Sequence, residues 1–182
     1  AQTSRERPAN AMRLGPYIVA SMLVAGTFFG GLTAWSFLAL YGLKVGLQEA
    51  AAVLTTSVHL FGGLILQFPV GWLADRMSGP ALLAWTGVIG GIATALIWFA
   101  GAGSLGFWLA LFVAGGCTMG IYTVSLASLG RRFAGGGMAA ATAAYIMCFE
   151  LGILTGGPVT GTAIQFMGAP GLLACPMTIH TF

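Results

Sequence analysis

Charged residues are scarce in this sequence, since Asp, Glu, Lys and Arg together make up 6% of its 182 residues. A soluble domain carries about 25% charged residues, because its surface must interact with water. Hydrophobic residues account for 58% of the chain, and the mean hydropathy is +0.93. These values exclude a water-soluble globular protein and predict an all-α integral membrane protein in a lipid bilayer.

Cysteine is also rare, and several catalytic motifs are missing. The chain has three cysteines, an odd number, and they lack CxxC spacing. All of them lie in or beside apolar stretches: Cys117, Cys148 and Cys175. We therefore expect buried free thiols and no metal site. No GxxxxGK[ST] phosphate-binding loop, Gly-x-Ser-Gly or His-Glu-x-x-His motif occurs, which argues against an ATP-driven pump or an intramembrane protease. We therefore expect no enzyme activity and no cofactor. The net charge of +3 reflects a few basic residues at membrane edges rather than nucleic-acid binding.

Six apolar runs predict six transmembrane helices, because roughly 20 apolar residues cross a bilayer. A polar, basic linker or loop occupies residues 1–15, and turns are predicted at 42–48 and 165–170. Both ends of the chain look cut, so we expect a piece of a longer protein. The predicted spans are about 16–41, 49–73, 81–101, 105–130, 138–163 and 171–182, the last of them truncated.

Basic residues are distributed unevenly among the predicted loops. On the alternate loops of one side only Lys44 is basic, whereas the other side carries Arg5, Arg7, Arg13, Arg76, Arg131 and Arg132. Cytoplasmic loops are enriched in Lys and Arg. This asymmetry predicts a multi-pass protein of the inner (plasma) membrane with the N-terminal end of the chain in the cytoplasm.

A decapeptide between the second and third spans stands out, Gly71-Trp72-Leu73-Ala74-Asp75-Arg76-Met77-Ser78-Gly79-Pro80. Its spacing resembles the cytoplasmic loop signature of the major facilitator superfamily (MFS) of secondary transporters. The resemblance implies that Gly71 permits close packing, Asp75 faces a helix N-terminus and Arg76 helps hold a loop that switches conformation. Ser78 replaces a glycine of the pattern and Pro80 a basic residue, so the terminal basic clamp does not transfer. The alternative is a plain cytoplasmic turn with one arginine.

Facilitators are built from two six-helix halves. The run Gly130–Gly161 resembles the tenth and eleventh spans, so the chain is interpreted as the C-terminal half, with the N-terminal half as the alternative. The resemblance implies a six-helix half bundle that works with a missing N-terminal half of the same protein. Its implied function is secondary active transport of a small solute by alternating access, coupled to protons. The alternative function is a non-transporting membrane subunit or assembly factor, and the sequence does not identify a substrate.

His59 lies near the centre of the second span. At 100° per residue its face also carries small or polar residues, whereas the opposite face is apolar, so we expect His59 to point into protein. It is a candidate for substrate or proton contact, with a structural, hydrogen-bonded histidine as the equal alternative. The residues that share its face are Ala52, Thr55, Thr56, Gly62 and Gly63.

Polar candidates also occur on the first and fourth spans. Thr118, Tyr122 and Ser125 share a face with Gly115 and are substrate-site candidates, since the tenth span of facilitators lines the central cavity. Hydrogen bonding between helices is the alternative for each of them. Trp35 is a similar candidate, and an interfacial anchor is its alternative.

Glu150 is the only acid in the interior of a predicted span. A charge at mid-membrane costs about 2.5–3.5 kcal/mol, so we expect Glu150 to face protein or a water-filled cavity and to exchange protons or contact a cationic substrate. The alternative is a neutral glutamate that ties helices together. Ala143, Gly157 and Gly161 lie on its face, which leaves room for water, substrate or a helix.

Small residues follow Glu150 along the fifth span. Gly152 and Gly156 have the spacing that lets helix backbones approach each other. Gly157, Pro158 and Gly161 resemble a glycine–proline pattern of family antiporters. Packing together with a kink is the simpler interpretation.

Overall fold

The computed structural model describes residues 35–132, 138–168 and 171, and this part of the chain contains helices and turns but no strand. A 3₁₀ turn at 35–37 leads directly into the first α-helix. The helices are α1 (Leu38–Lys44), α2 (Glu49–Ala74), α3 (Gly79–Phe99), α4 (Leu105–Arg132) and α5 (Met138–Met167).

The helices α2 to α5 are long and apolar enough to cross a membrane, with mean hydropathies of 1.5 to 1.8. Large apolar side chains cover their outer surfaces; Phe68 and Phe99 are 79% and 80% exposed. Lipid can cover such surfaces, and the backbone groups are satisfied inside each helix. The described part of the chain is therefore helical, as predicted for a membrane protein, and its four helices long enough to span a membrane coincide with the second to fifth predicted spans. Most of the first and sixth predicted spans lies outside the described residues.

Two predicted turns are shorter than expected. The helix α1 continues to Lys44, so Gly42 and Leu43 are helical, and α5 includes Gln165 and ends only at Met167. In both places the helix continues past the predicted end and stops close to a glycine with positive φ. These glycines are Gly46 (φ 89°) and Gly168 (φ 70°), a backbone conformation that residues with side chains rarely adopt.

The central element is α4, which packs along both α2 and α3, while α2 and α3 scarcely touch each other. Within the described residues, 56% of the membrane window of α4 is buried, against 17% for α5. Phe107, Leu111 and Ala114 of α4 are fully buried in one apolar core together with Leu38 and Ile97. Side chains on α2 and α3 are thus positioned chiefly by their contacts with α4.

Glycines bring α2 and α4 into backbone contact, and we call this contact the α2–α4 seam. A Cβ added at Gly62 would overlap the carbonyl group of Phe112, and one added at Gly115 would overlap the carbonyl group of His59. Gly116 is similarly packed against Leu66. Small residues permit such close approach between membrane helices. The seam fixes the position of His59 relative to α4.

Candidate functional site

His59 of α2 stacks on Trp35 in the interior of the protein. The two ring centroids are 4.3 Å apart and the ring planes differ by 22°. His59 is 3% exposed and Trp35 is 5% exposed. The prediction that His59 points into protein is confirmed, and Ala52, Thr55, Gly62 and Gly63 of the same face are also buried. The interpretation of Trp35 as an interfacial anchor is wrong, because its indole is enclosed by protein.

Both rings lie about halfway through the predicted bilayer. Trp35 precedes Lys44, the end of α1, by nine residues, and His59 follows Glu49, the start of α2, by ten. At about 1.5 Å per residue this is a depth of roughly 14–15 Å, and the hydrocarbon core is about 30 Å thick. The helix that follows Trp35 ends at Lys44 and not at the predicted Tyr41, so Trp35 lies farther from that end than predicted.

The stacked pair contains two buried polar atoms without hydrogen-bond partners in the described part of the chain, Trp35 Nε1 and His59 Nδ1. Buried polar atoms are almost always paired, because leaving one unpaired costs about 1–3 kcal/mol. An unpaired atom in a native interior therefore calls for an explanation, such as a ligand.

Threonine hydroxyl groups in the described part of the chain include some that are paired within their own helix and two that are buried without a partner. Several of these hydroxyl groups donate to a carbonyl oxygen one turn earlier in their own helix: Thr55, Thr86, Thr94, Thr123, Thr155 and Thr162. Thr118 of α4 and Thr160 of α5 are each 1% exposed, yet their Oγ1 atoms have no partner among the described residues. Thr118 was predicted as a candidate, and Thr160 was not.

Tyr122 connects α4 with α5 through aromatic contacts. Its ring centroid is 6.0 Å from that of Tyr145 and 5.4 Å from that of Phe149. The Tyr145 hydroxyl is buried, and Ser125 lies near it without forming a hydrogen bond of good geometry. The structure thus brings the candidates Tyr122 and Ser125 together with two aromatic residues that the sequence analysis missed. The aromatic spacing of Tyr145 and Phe149, one helical turn apart, was the available signal.

Glu150 lies on the exposed side of α5, in a shallow groove lined by Ile146, Met147, Leu151 and Leu154. The expectation that it faces protein is not met within the described chain. The reason is helical geometry, since the buried face of α5 contains Gly152 and Gly156, about 200–240° round the helix from Glu150. A carboxyl group is thus placed on an otherwise apolar surface at the middle of a spanning helix.

The glycines of α5 fall into two groups. Gly152 and Gly156 are buried, as expected for the face that packs against other helices. A Cβ added at Gly157 or Gly161 would meet nothing within 4 Å. Pro158 is exposed and lies inside the continuous helix.

The loop motif is organised differently from the expectation. A Cβ added at Gly71 would meet nothing within 4 Å, so this glycine makes no close packing contact in the described part of the chain. Gly79 is the tight position, because a Cβ there would be 2.6 Å from Ser128 Oγ of α4. Asp75 caps the C-terminal end of α2, is exposed, and makes no side-chain hydrogen bond or ion pair in the described part of the chain. The Arg76 guanidinium lies 3.6 Å from the centroid of the Trp72 ring, a cation–π contact.

Arg131 connects this loop with α4, a role that its position in the sequence did not indicate. Its guanidinium donates long hydrogen bonds of 3.4 Å to the Ala74 carbonyl oxygen and to Ser128 Oγ. Ala74 is the last residue of α2, where carbonyl groups have no partners within the helix. A cation at this end also interacts favourably with the helix dipole.

The candidate residues therefore form three separate groups in the described chain. Trp35 and His59 form a mid-membrane pair, Tyr122 and Ser125 join α5, and the loop motif lies at the ends of α2 and α4. Thr118 lies on α4 one turn after Gly115, the residue that contacts the His59 backbone. No group of three or more metal-binding side chains occurs among the described residues.

No protein-family model, curated protein or solved structure shows significant similarity to this chain.

Proposed function

We propose that the chain is one half of an MFS-type secondary transporter, which moves a small solute across the inner membrane by alternating access. The observation that carries this proposal is the Trp35–His59 pair, whose two ring nitrogens have no partner among the described residues, at about mid-membrane depth. Leaving such atoms unpaired is costly, so a partner or a ligand is expected for them. Secondary transporters hold their substrates near the midplane, between two repeats.

The loop motif supports the same proposal. Arg131 and Gly79 link the α2–α3 loop to the end of α4, so we expect the loop to move when that helix moves. Asp75 is exposed beside this link and is available to the missing N-terminal half. Gly71, Asp75 and Arg76 are thus proposed to belong to a cytoplasmic contact that forms in one state of the transport cycle.

Glu150 is proposed as the proton-coupling residue. Its carboxyl group lies on an apolar surface at the middle of a spanning helix, where an acidic side chain is rare and most often functional. Movement of the other half across this face would expose the group alternately to lipid, protein and water. The proton would bind and leave with that change of environment.

The test uses the full-length protein in liposomes that contain a pH-sensitive dye. Gradients of sugars, polyols, amino acids, carboxylates and organic amines are applied one at a time, and proton movement is recorded. We expect at least one solute class to drive proton flux. Glu150→Gln should abolish this flux and retain exchange of the solute against itself, because exchange needs no net proton transfer.

Glu49→Gln is the matched control, since Glu49 lies at the start of α2 rather than at mid-membrane. Its proton flux should equal that of the wild type. Absence of both flux and exchange for every solute class would contradict transport and favour a non-transporting membrane subunit. Proton flux that persists in Glu150→Gln would contradict only the proposed role of Glu150 and would leave the transport proposal standing.

A further inference from the structure

We propose that the outer face of α2 binds one anionic phospholipid, with its acyl chains along a row of exposed apolar side chains and its phosphate group on Arg76 and Arg131. This inference goes beyond the proposed transport function and does not depend on it. The row, which we call the α2 stripe, consists of Phe61, Ile65, Phe68 and Trp72.

The α2 stripe faces away from the other described helices. Its four side chains are between 41% and 79% exposed. At 100° per residue they lie within about 60° of one another. The neighbouring Gly62 and Gly63, by contrast, contact α4. Acyl chains cover such a surface on a spanning helix, so the stripe suits the apolar part of a lipid.

Trp72 lies where the hydrocarbon of the bilayer meets the headgroups. The 26 residues of α2 have their midpoint at Phe61 and Gly62, about ten residues before Trp72. At about 1.5 Å per residue this distance is roughly 15 Å, half the thickness of the hydrocarbon core. Tryptophan is enriched at this depth. Arg76 follows Trp72 by four residues and so lies at the level of the lipid phosphate groups.

Two guanidinium groups are held at this end of α2. That of Arg76 lies 3.6 Å from the centroid of the Trp72 ring, and that of Arg131 donates to the Ala74 carbonyl oxygen over 3.4 Å. Neither contacts a carboxylate in the described part of the chain, although Asp75 precedes Arg76 in the sequence. A guanidinium has five N–H donors and can bind two phosphate oxygens at once. Both arginines therefore keep donors for a phosphate group.

The charge at this edge favours an anionic headgroup. Arg132 is the last residue of α4, so three basic residues and one acid, Asp75, belong to these helix ends. A lipid with net negative charge is attracted by such a group, whereas the phosphate of phosphatidylcholine is balanced by its own ammonium. The stacking of Arg76 on a ring at the hydrocarbon edge selects a lipid phosphate rather than a dissolved one.

The experiment is native mass spectrometry of the full-length protein in detergent micelles, which counts bound lipids one at a time. Phosphatidylglycerol is compared with phosphatidylcholine and phosphatidylethanolamine of different mass. We expect the first phosphatidylglycerol to bind at least about fivefold more tightly than the other two. Arg76→Gln and Arg131→Gln should each weaken its binding about fivefold, the effect of one basic residue near an anionic headgroup.

Matched controls exist for both the charge and the ring. Lys44→Gln removes an exposed basic residue at the end of α1 and should bind phosphatidylglycerol as the wild type does. Trp72→Leu should weaken binding about two- to fivefold, because the cation–π contact that positions Arg76 is lost. Trp85→Leu should have no effect, since Trp85 is 59% exposed on α3 and has no cation on its ring among the described residues.

Equal binding of phosphatidylglycerol and phosphatidylcholine by the unmodified protein would overturn the site without recourse to any variant. Equal weakening by Lys44→Gln and Arg76→Gln would also overturn it, because the attraction would then be general to the surface. A preference for phosphatidylethanolamine would assign the headgroup contact to Asp75 and contradict the anionic lipid. Displacement of bound phosphatidylglycerol by inorganic phosphate would show that the arginines bind dissolved phosphate instead.

Discussion

Thr118 and Thr94 have the same side chain and almost the same burial, at 1% and 0% exposed, but opposite hydrogen-bonding states. The Thr94 hydroxyl donates to the Gly90 carbonyl oxygen at 2.8 Å, whereas that of Thr118 has no partner among the described residues. Valine has nearly the shape of threonine without the hydroxyl. The pair therefore separates the cost of an unpaired hydroxyl from the value of a paired one.

We expect Thr118→Val to raise the free energy of unfolding by about 1 kcal/mol, because burial of an unpaired hydroxyl costs about 1–3 kcal/mol. Thr94→Val should lower it by about 0.5–1.5 kcal/mol through loss of a hydrogen bond. Denaturant unfolding in detergent micelles checks both. If Thr118 contacts solute, Thr118→Val should also slow transport, while equal destabilisation of both variants would show that Thr118 is paired in the membrane.

Single residues also show how far the sequence leads. The burial of His59 follows from helical periodicity, because the small and polar residues of α2 share one side. Its stacking on Trp35 does not, since the two residues belong to different helices and their contact depends on how α1 packs against α2. The predicted orientation of Glu150 toward protein is not found in the described chain. Small neighbours on its helical face indicate room there, but they do not show which face of α5 another helix covers.

At the scale of helices, the α2–α4 seam depends on glycine at a few positions. We expect Gly115→Ala to lower the free energy of unfolding by about 1–3 kcal/mol, since its methyl group would overlap the His59 carbonyl and force the helices apart. Gly62→Ala should behave similarly against Phe112. Thermal unfolding in detergent measures both effects.

Gly161→Ala is the control for this pair, because Gly161 is also helical and an added Cβ meets nothing within 4 Å. Alanine favours helix more than glycine does, so this variant should gain up to about 1 kcal/mol. Equal effects at Gly115 and Gly161 would show that α2 and α4 do not make the close contact of the α2–α4 seam.

The contact between Arg131 and the end of α2 gives a second prediction at this scale. Arg131→Gln should destabilise the folded α2–α3 loop by roughly 0.3–1 kcal/mol, the contribution of an exposed cation at a helix C-terminus. The readout is hydrogen exchange at the Arg76 and Met77 amides, which donate to the Leu73 carbonyl oxygen and should exchange about two- to fivefold faster. Arg76→Gln removes only the contact with Trp72 and should leave these rates near those of the wild type.

The existence of the four described spanning helices was predictable, because long apolar runs with few charges have no other stable form in lipid. The ends of the helices were less predictable, since α1 and α5 continue until they are close to a glycine with positive φ. The motif pointed to Gly71 as the tight glycine, whereas the tight position is Gly79. Which glycine is packed depends on where α4 ends, and sequence spacing within the loop does not contain that information.

At the scale of the whole molecule, orientation in the membrane can be tested directly. The six arginines on one set of loops predict that Ser78 lies in the cytoplasm and Val45 on the opposite side. Single cysteines at these positions, in a background without Cys117, Cys148 and Cys175, should react with an impermeant maleimide from opposite sides. Reaction of both from outside the cell would contradict the predicted topology.

The order of helices along the chain has a consequence for biogenesis. The helix α2 emerges from the ribosome before α3, and α3 before α4, yet the partner of the small and polar face of α2 is α4. Until α4 has entered the bilayer, lipid or the insertion machinery occupies the place of Phe112 and Gly115 beside Gly62 and the His59 backbone. A nascent chain stopped after Phe99 should therefore be more sensitive to membrane quality-control proteases than one stopped after Arg132.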